Sequence, residues 1–172
     1  MANLRKQFAK IYDQYINKIY RFIFLKVNSQ EIAEDLTSEV FVRSWDKFRT
    51  GEDIRNIQAF LYQVARNLVI DHYREKGESR TISAEEIWAP DLRVDLEKEA
   101  QIDSEMSQAR FALSKINEDY ADIVVWRYLD QLSVSEIAKI LNKSEGAVRV
   151  MLHRALKALK NELESSSGKP SR

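Results

Sequence analysis

The spacing of hydrophobic residues in the first 76 positions predicts three amphipathic helices. In the first segment, hydrophobic side chains recur every three or four positions, as one buried face of a helix requires: Leu4, Phe8, Ile11, Tyr15, Ile19 and Phe22. Ser29 is the predicted N-cap of a second helix. The pattern breaks at positions 49–53, and a third helix is predicted from about Asn56 to Lys76.

The periodicity weakens from Gly77 to about Glu105, where Pro90 interrupts the chain, so a linker is predicted there, with a short helix after Ser83. Helical spacing then resumes. The apolar run at 123–126 fits a buried strand or a helix when taken alone. We predict a helix, because no other strand candidate lies nearby to pair with it.

A helix-turn-helix pattern follows in the C-terminal part of the chain. Ser133 and Glu136 have the spacing of a capping box, which marks a sharp helix start. Asn142 tolerates the left-handed backbone of a tight turn, and Ser144 is placed to cap the next helix. That helix carries an outward face of mostly basic residues: Glu145, Arg149, His153, Arg154 and Lys157.

Composition supports an all-α fold and excludes several kinds of chemistry. Four Gly and two Pro in 172 residues offer few turns for a β fold. The absence of Cys and the presence of only two His make disulfides and metal centres unexpected, and no nucleophile has a partner at triad spacing. No apolar run has the length of a membrane span or signal peptide, so we expect a cytoplasmic location without membrane insertion.

The net charge is zero, but the charges are unevenly distributed. Residues 1–77 carry 13 basic and 10 acidic residues, 78–105 carry 3 and 9, and 106–172 carry 11 and 8. Two mildly basic ends therefore flank an acidic middle, which keeps nucleic acid among the candidate partners.

Each candidate surface has a functional and a structural interpretation. In a major groove, Arg149 would read guanine, Glu145 would accept from cytosine and Lys157 would meet phosphate, but the same residues fit a solvated basic helix face. The third helix combines cationic side chains with the ring of Tyr73, a combination that suits binding of single-stranded nucleic acid. Aromatic rings at helical spacing more often belong to the hydrophobic core of the protein. The carboxylates of Glu34, Asp35 and Glu39 share a helix face and would suit a divalent metal ion, but a solvated acidic face is the much stronger interpretation.

Three blocks of the sequence resemble the extracytoplasmic-function (ECF) group of bacterial RNA polymerase sigma factors. Residues 33–45 (AEDLTSEVFVRSW) resemble the family's polymerase-binding segment, and 59–74 resemble its promoter-melting helix. Residues 132–159 resemble its C-terminal helix-turn-helix. The three blocks stand in family order across nearly the whole chain, which makes the resemblance specific.

The resemblance implies three sets of functional residues. Contact with core RNA polymerase is expected at Asp35, Ser38, Glu39 and Val42. Single-stranded promoter DNA, including a flipped base in the loop Phe48 to Asn56, is expected at Arg49, Asp53, Arg55, Asn56, Arg66, Asn67 and Arg74. Duplex promoter DNA is expected at Ser144, Glu145, Arg149, His153, Arg154 and Lys157.

The resemblance also implies the domain organisation and the partners. We expect two small helical domains, at 1–77 and 106–163, joined by an acidic linker at 78–105 and followed by a disordered tail at 164–172. The expected partners are core RNA polymerase, promoter DNA and an anti-sigma factor, and no cofactor is expected. The chain would not itself be an enzyme.

Two rival functions remain open at this point. A stand-alone helix-turn-helix regulator would bind duplex DNA tightly without polymerase, which near-neutral charge disfavours. A helical adaptor that sequesters a partner would bind no DNA and would tolerate loss of Arg149 and Lys157.

Overall fold

A computed structural model of the chain describes residues 1–75 and 107–166. Within these ranges the secondary structure consists of helices and contains no strand, as the composition predicts. The contacts between residues divide the chain into two compact units, and each is described by itself.

The first unit begins with three long helices: α1 (Ala2–Val27), α2 (Gln30–Arg49) and α3 (Ile57–Glu75). They pack against one another in all three pairs. The stripe of hydrophobic residues that predicted α1 supplies much of the core, since Ile19, Phe22 and Ile23 are fully buried together with Leu61 and Tyr62 of α3. Helix amphipathicity therefore sets the fold of this unit.

A cluster of aromatic rings joins α1 to α2. The ring of Phe8 lies 5.2 Å from that of Trp45 and 5.6 Å from that of Phe48, between centroids. Tyr12 packs edge-on against Phe41 at 4.9 Å. Aromatic pairs at these distances stabilise a structure beyond their buried area, so the cluster fixes the outward face of α2.

The ends of these helices follow the signals in the sequence. The Ser29 hydroxyl accepts a hydrogen bond from the Ile32 amide at 3.4 Å, which confirms the predicted N-cap of α2. Asn28, at the end of α1, adopts the left-handed conformation with φ of 48°. At the C-terminal end of α3, the Tyr73 hydroxyl donates to the Lys26 carbonyl and ties α3 to the end of α1.

The second unit contains helical residues 107–115 (α4), α5 (Glu118–Val124) and α7 (Glu145–Ser166), with α5 packed on α7. The ambiguous run at 123–126 is helical and buried, as predicted, and Trp126 is wholly inaccessible to solvent. After Val124 the helix widens into a π-helical turn at Val125–Leu129, which the sequence did not predict.

A further helix, α6 (Val134–Leu141), belongs by its contacts to the first unit, which includes Ser133–Ser144. The Gln63 side-chain amide donates to the Ile140 carbonyl at 2.8 Å, across 77 positions of sequence. Ile137 and Ile140 are buried. The sequence had predicted these residues as part of the C-terminal domain.

One predicted boundary needs correction. Helix α7 extends through Ser166, so residues 164–166 are helical and not part of a disordered tail. The Ser165 and Ser166 hydroxyls donate to the carbonyls of Asn161 and Leu163, which satisfies acceptors in the last turn. The predicted linker, its short helix and the rest of the tail lie outside the described residues, so the boundaries at 77 and 105 stay a prediction.

Candidate functional site

The residues expected to contact polymerase share one face of α2, which we call the α2 face: Asp35, Ser38, Glu39 and Val42. Their spacing of i, i+3, i+4 and i+7 places them on adjacent turns. Asp35 and Ser38 are exposed, and Glu39 is partly exposed. The opposite side of α2 is buried, because Val40, Phe41 and Ser44 face α1 and α3.

The α2 face combines negative charge with an exposed apolar side chain. Glu39 forms an ion pair with Arg43, one turn further along. Val42 is 60% exposed although it is hydrophobic, and it lies between this charged row and the aromatic cluster. A surface of this kind suits contact with a protein helix that carries both basic and apolar groups.

The loop between α2 and α3 carries several of the residues expected to contact single-stranded DNA. Gly51 has φ of +73°, a conformation that favours glycine and lets the chain turn after α2. Asp53 and Arg55 are almost fully exposed, and the Arg55 Nε lies 3.8 Å from the Asp53 Oδ2. Arg49 pairs with Asp46 at 2.9 Å, so its guanidinium is held along α2.

Asn56 has a structural role that the sequence analysis did not identify. Its side-chain oxygen accepts a hydrogen bond from the Ala59 amide at 2.9 Å and thus caps α3. The NH₂ group of the same side chain can still donate to a base or phosphate. The signal was present in the sequence, because Asn is among the preferred N-cap residues.

The expected nucleic-acid residues of α3 lie further along the helix. Asn67 and Arg74 are exposed and, two turns apart, share one side of α3. Arg66 is partly buried beside them. The outer side of α3 therefore presents an amide and a cation at a separation of about 10 Å along the axis.

The residues expected to contact duplex DNA lie at the start of α7. Ser144 immediately precedes the helix, in the N-cap position. Arg149 lies 3.8 Å from Glu145 in an exposed ion pair, and His153 and Arg154 are exposed as well. Lys157 continues this surface one turn further on.

The opposite side of α7 is the packed side. Val148 and Ala155 are fully buried, and Leu152 and Leu159 are partly buried, at the spacing of one helix face. The side of α7 that carries Arg149, His153 and Lys157 therefore faces solvent, which a recognition helix requires. We call this surface the α7 face. The sequence analysis did not single out Val150, an exposed hydrophobic residue beside Arg149.

The start of α6 is fixed by the predicted capping box. The Glu136 amide donates to the Ser133 hydroxyl at 3.1 Å, and the Ser133 amide donates to the Glu136 carboxylate at 3.2 Å. Burial raises the pKa of Glu136, but hydrogen bonds from Ser133 and Gln58 and the charge of Lys18 together hold that pKa below its ordinary value.

Two features of the described residues bear on other functions. The described residues contain no cluster of three His, Asp or Glu side chains able to hold a metal ion. None of the helices in the described ranges is long and apolar enough to cross a membrane.

Comparison with known proteins finds two family models in this chain. The model for sigma-70 region 2 matches residues 11–79, which include α3 and the α2 face. The model for sigma-70 region 4 matches residues 106–159, which include α5, α6 and the α7 face. The two matches together cover more than two thirds of the chain.

Full-length relatives agree with these matches. Over 165 residues the chain is 30% identical to the ECF RNA polymerase sigma factor SigW of Bacillus subtilis, covering 91% of this chain and 88% of SigW. It is 33% identical over 155 residues to the ECF RNA polymerase sigma factor BldN of Streptomyces coelicolor, covering 88% of this chain but only 58% of BldN.

A solved structure supports the fold. The sigma factor RpoE of Bartonella quintana, in complex with the anti-sigma factor NepR, superposes with a TM-score of 0.68. The superposition covers 92% of this chain and 98% of RpoE, at 18% sequence identity. At this identity the likeness carries the helical architecture alone.

Proposed function

Because the chain belongs to the ECF group of RNA polymerase sigma factors, we propose that it binds core RNA polymerase and directs it to promoters, where it takes part in strand opening. Sigma factors are initiation factors and not enzymes, so polymerase performs the nucleotidyl transfer. In this role the protein acts in the cytoplasm.

The observation that carries this proposal is the presence of regions 2 and 4 in order in one chain. Region 4 alone would suit a stand-alone DNA-binding regulator. Region 2 adds a segment that such a regulator does not need, and it coincides with the α2 face and the exposed side of α3.

The α2 face is the proposed polymerase-binding surface. Asp35 and Ser38 are exposed there, and Val42 adds an apolar contact that burial in an interface would stabilise. The aromatic cluster behind this face packs α2 against α1. A surface already folded before binding loses less conformational freedom on association.

The loop after α2 and the outer side of α3 form the proposed single-strand surface. Unstacking a base costs a few kcal/mol, which polar contacts to the base and cationic contacts to the backbone offset. Asp53 and Arg55 are exposed in the loop, and Asn67 and Arg74 are exposed on α3. Arg49, Asn56 and Arg66 are more constrained, because each is paired, used as a cap or partly buried.

The α7 face is the proposed reader of the upstream duplex element. Arg149 and Glu145 lie in the first turns of α7, the part of a recognition helix that reaches base edges. Arg149 suits guanine and Glu145 suits cytosine, while Lys157 is better placed for phosphate. Ser144, His153 and Arg154 complete this surface.

We also propose an anti-sigma factor as a regulatory partner. The named relative RpoE is bound to the anti-sigma factor NepR in its solved structure. The exposed apolar side chains of this chain, Val42 on α2 and Leu156 and Leu163 on α7, are groups that a protein partner would cover.

The test is transcription from fragmented bacterial genomic DNA by sigma-free core polymerase, with and without this chain, mapping each RNA 5′ end. We expect new start sites that share two upstream motifs. Asp35→Arg should abolish them by reversing charge on the α2 face, and Arg149→Ala should weaken them and relax the base preference of one motif by removing a base contact.

Asp13→Arg is the matched control, because it reverses an exposed carboxylate of α1 that lies outside the three proposed surfaces. It should leave the start sites intact. Tight duplex binding by the chain alone, with no new start sites, would favour a stand-alone regulator. Neither DNA binding nor new start sites would favour a helical adaptor.

A further inference from the structure

Val150 is an apolar side chain on the face of α7 that is otherwise polar. It is 49% exposed, and its polar neighbours around the helix are Arg149, His153 and Arg154. Val150 lies about 100° around the helix axis from Arg149 and about 60° from His153. It therefore belongs to the α7 face and not to the buried stripe that contains Val148 and Ala155.

Neither packing nor helix formation explains a valine at this position. Half of its surface remains in contact with water, so its contribution to the core is small. A β-branched side chain also has lower helix propensity than the straight-chain residues that usually occupy exposed helix positions. Its stiff χ1 does hold both methyl groups in one orientation, which favours a contact of fixed geometry.

Gly146, one turn before Val150, leaves the approach to those methyl groups open. Side chains of a helix lean toward its N-terminus, so Val150 lies over the position that a side chain at 146 would occupy. A Cβ built at Gly146 meets no heavy atom within 4 Å among the described residues, apart from its two chain neighbours and the backbone of its own helix. The space beside residue 146, over which Val150 leans, is therefore open apart from the helix itself.

The major groove offers one apolar group that fits this opening. Thymine carries a 5-methyl group at its groove edge, and small apolar side chains recognise it by direct contact. We propose that Val150, with the gap at Gly146, contacts the methyl group of one thymine in the upstream duplex element and discriminates A·T from other pairs there. This inference rests on the proposed function, because it requires the α7 face to enter the groove.

The position of Val150 favours a base over a phosphate or a protein as the contacted group. Phosphates are met by cations and amides, and an aliphatic side chain offers them nothing. Val150 also lies within the first two turns of α7, between the base-reading candidates Arg149 and His153. The exposed apolar residues suited to a protein partner, Leu156 and Leu163, lie further along the helix.

The test removes single methyl groups from the DNA. A promoter obtained by the start-site mapping is made with deoxyuridine in place of each thymine of the upstream element in turn, on both strands. Binding by the holoenzyme of core polymerase and this chain is then measured by competition. We expect one substitution to weaken binding of the wild-type holoenzyme by about fourfold, the contribution of one buried methyl group.

Val150→Ser should remove that sensitivity, so that the holoenzyme binds the thymine and deoxyuridine promoters equally. This loss of coupling assigns the methyl contact to residue 150, as a double-mutant cycle does. Tyr128→Ser is the control, because it changes another exposed hydrophobic residue of the second unit that belongs to none of the proposed surfaces. It should preserve the fourfold effect.

Gly146→Gln is a second test variant in the same binding assay. The added side chain should occupy the gap, weaken promoter binding and reduce the effect of deoxyuridine, while thermal stability is kept because Gln favours helix more than Gly does. If no thymine position couples to residue 150 while the holoenzyme still selects this promoter, the inference is wrong and the proposed function stands. If the holoenzyme selects no promoter, both are wrong.

Discussion

Two asparagine residues end helices in the left-handed conformation. Asn28 follows α1 with φ of 48°, and Asn142 follows α6 with φ of 53°. At the second site the amides of Asn142 and Lys143 both donate to the Ala138 carbonyl. Asn tolerates this backbone better than other residues with a Cβ, so the chain can turn sharply before α7 without glycine.

We expect Asn142→Ala to destabilise the end of α6 by about 1–2 kcal/mol, because Ala pays the full steric cost of the left-handed region. Asn142→Gly should keep or slightly raise stability, since glycine adopts this backbone freely. Amide hydrogen exchange in α6 measures both changes. Equal destabilisation by Ala and Gly would show that the Asn142 side chain, and not the backbone, stabilises the turn.

At the scale of single residues, helical periodicity predicted which side chains are exposed. It did not predict which hydrogen bonds those side chains form. The periodicity predicted correctly that Arg149, His153 and Lys157 face outward. It gave no indication that the Asn56 oxygen is used as a helix cap, because any outward polar residue near a helix start fits the same pattern. The assignment of these residues to DNA stays a prediction.

At the scale of helices, the capping box of α6 couples helix stability to pH. The carboxylate of Glu136 is stabilised in the folded chain, so its pKa lies below the ordinary value of 4.5. A depressed pKa in the folded state contributes stability at pH values above the pKa of the unfolded chain. That contribution is lost as the pH falls through the lowered pKa of the folded state.

We expect α6 of the wild-type chain to lose protection from hydrogen exchange as the pH falls below about 4.5, the ordinary value for Glu136. Glu136→Gln keeps a capping-box side chain but cannot titrate, so its stability should change less over the same range. Ser133→Ala should remove about 1 kcal/mol at all pH values. Identical pH profiles for Glu136→Gln and wild type would rule out Glu136 as the titrating group.

The π-helical turn after α5 shows where prediction from local sequence stops. The run at 123–126 indicated a helix correctly. The widened turn at Val125–Leu129, however, depends on hydrogen bonds between residues five or six positions apart. The Asp130 amide donates to the Val125 carbonyl, and the Leu132 amide donates to that of Trp126. Burial of Trp126 in the second unit accompanies this geometry, and no single residue type in the run specifies it.

At the scale of the whole molecule, the charge distribution favours dependence on polymerase. The net charge is zero, and each end carries only three more basic than acidic residues. Duplex affinity grows with the number of phosphates neutralised, so few such contacts give weak binding. The chain is therefore suited to selecting a site while polymerase supplies most of the nonspecific attraction.

We expect the isolated chain to bind promoter duplex with a Kd of about 10⁻⁴ to 10⁻⁶ M at physiological salt, the range of nonspecific binding. The holoenzyme should bind about a thousandfold more tightly or better. In a salt titration of the holoenzyme, Lys157→Ala should reduce the slope of log affinity against log salt concentration by about 1, the contribution of one phosphate contact. Arg149→Ala should instead relax base preference. Nanomolar binding by the isolated chain would contradict this division.

The helices, the caps at Ser29 and Ser133 and most of the residues that each helix turns outward follow from the sequence alone. These features depend on contacts within three or four positions, which periodicity and residue type specify directly. Only the tertiary structure decided that Ser133–Ser144 joins the first unit, where Gln63 bonds to Ile140 across 77 positions. It also decided that Val150 stays exposed beside an open space at Gly146. Such features depend on which buried faces meet, and no local pattern encodes that choice.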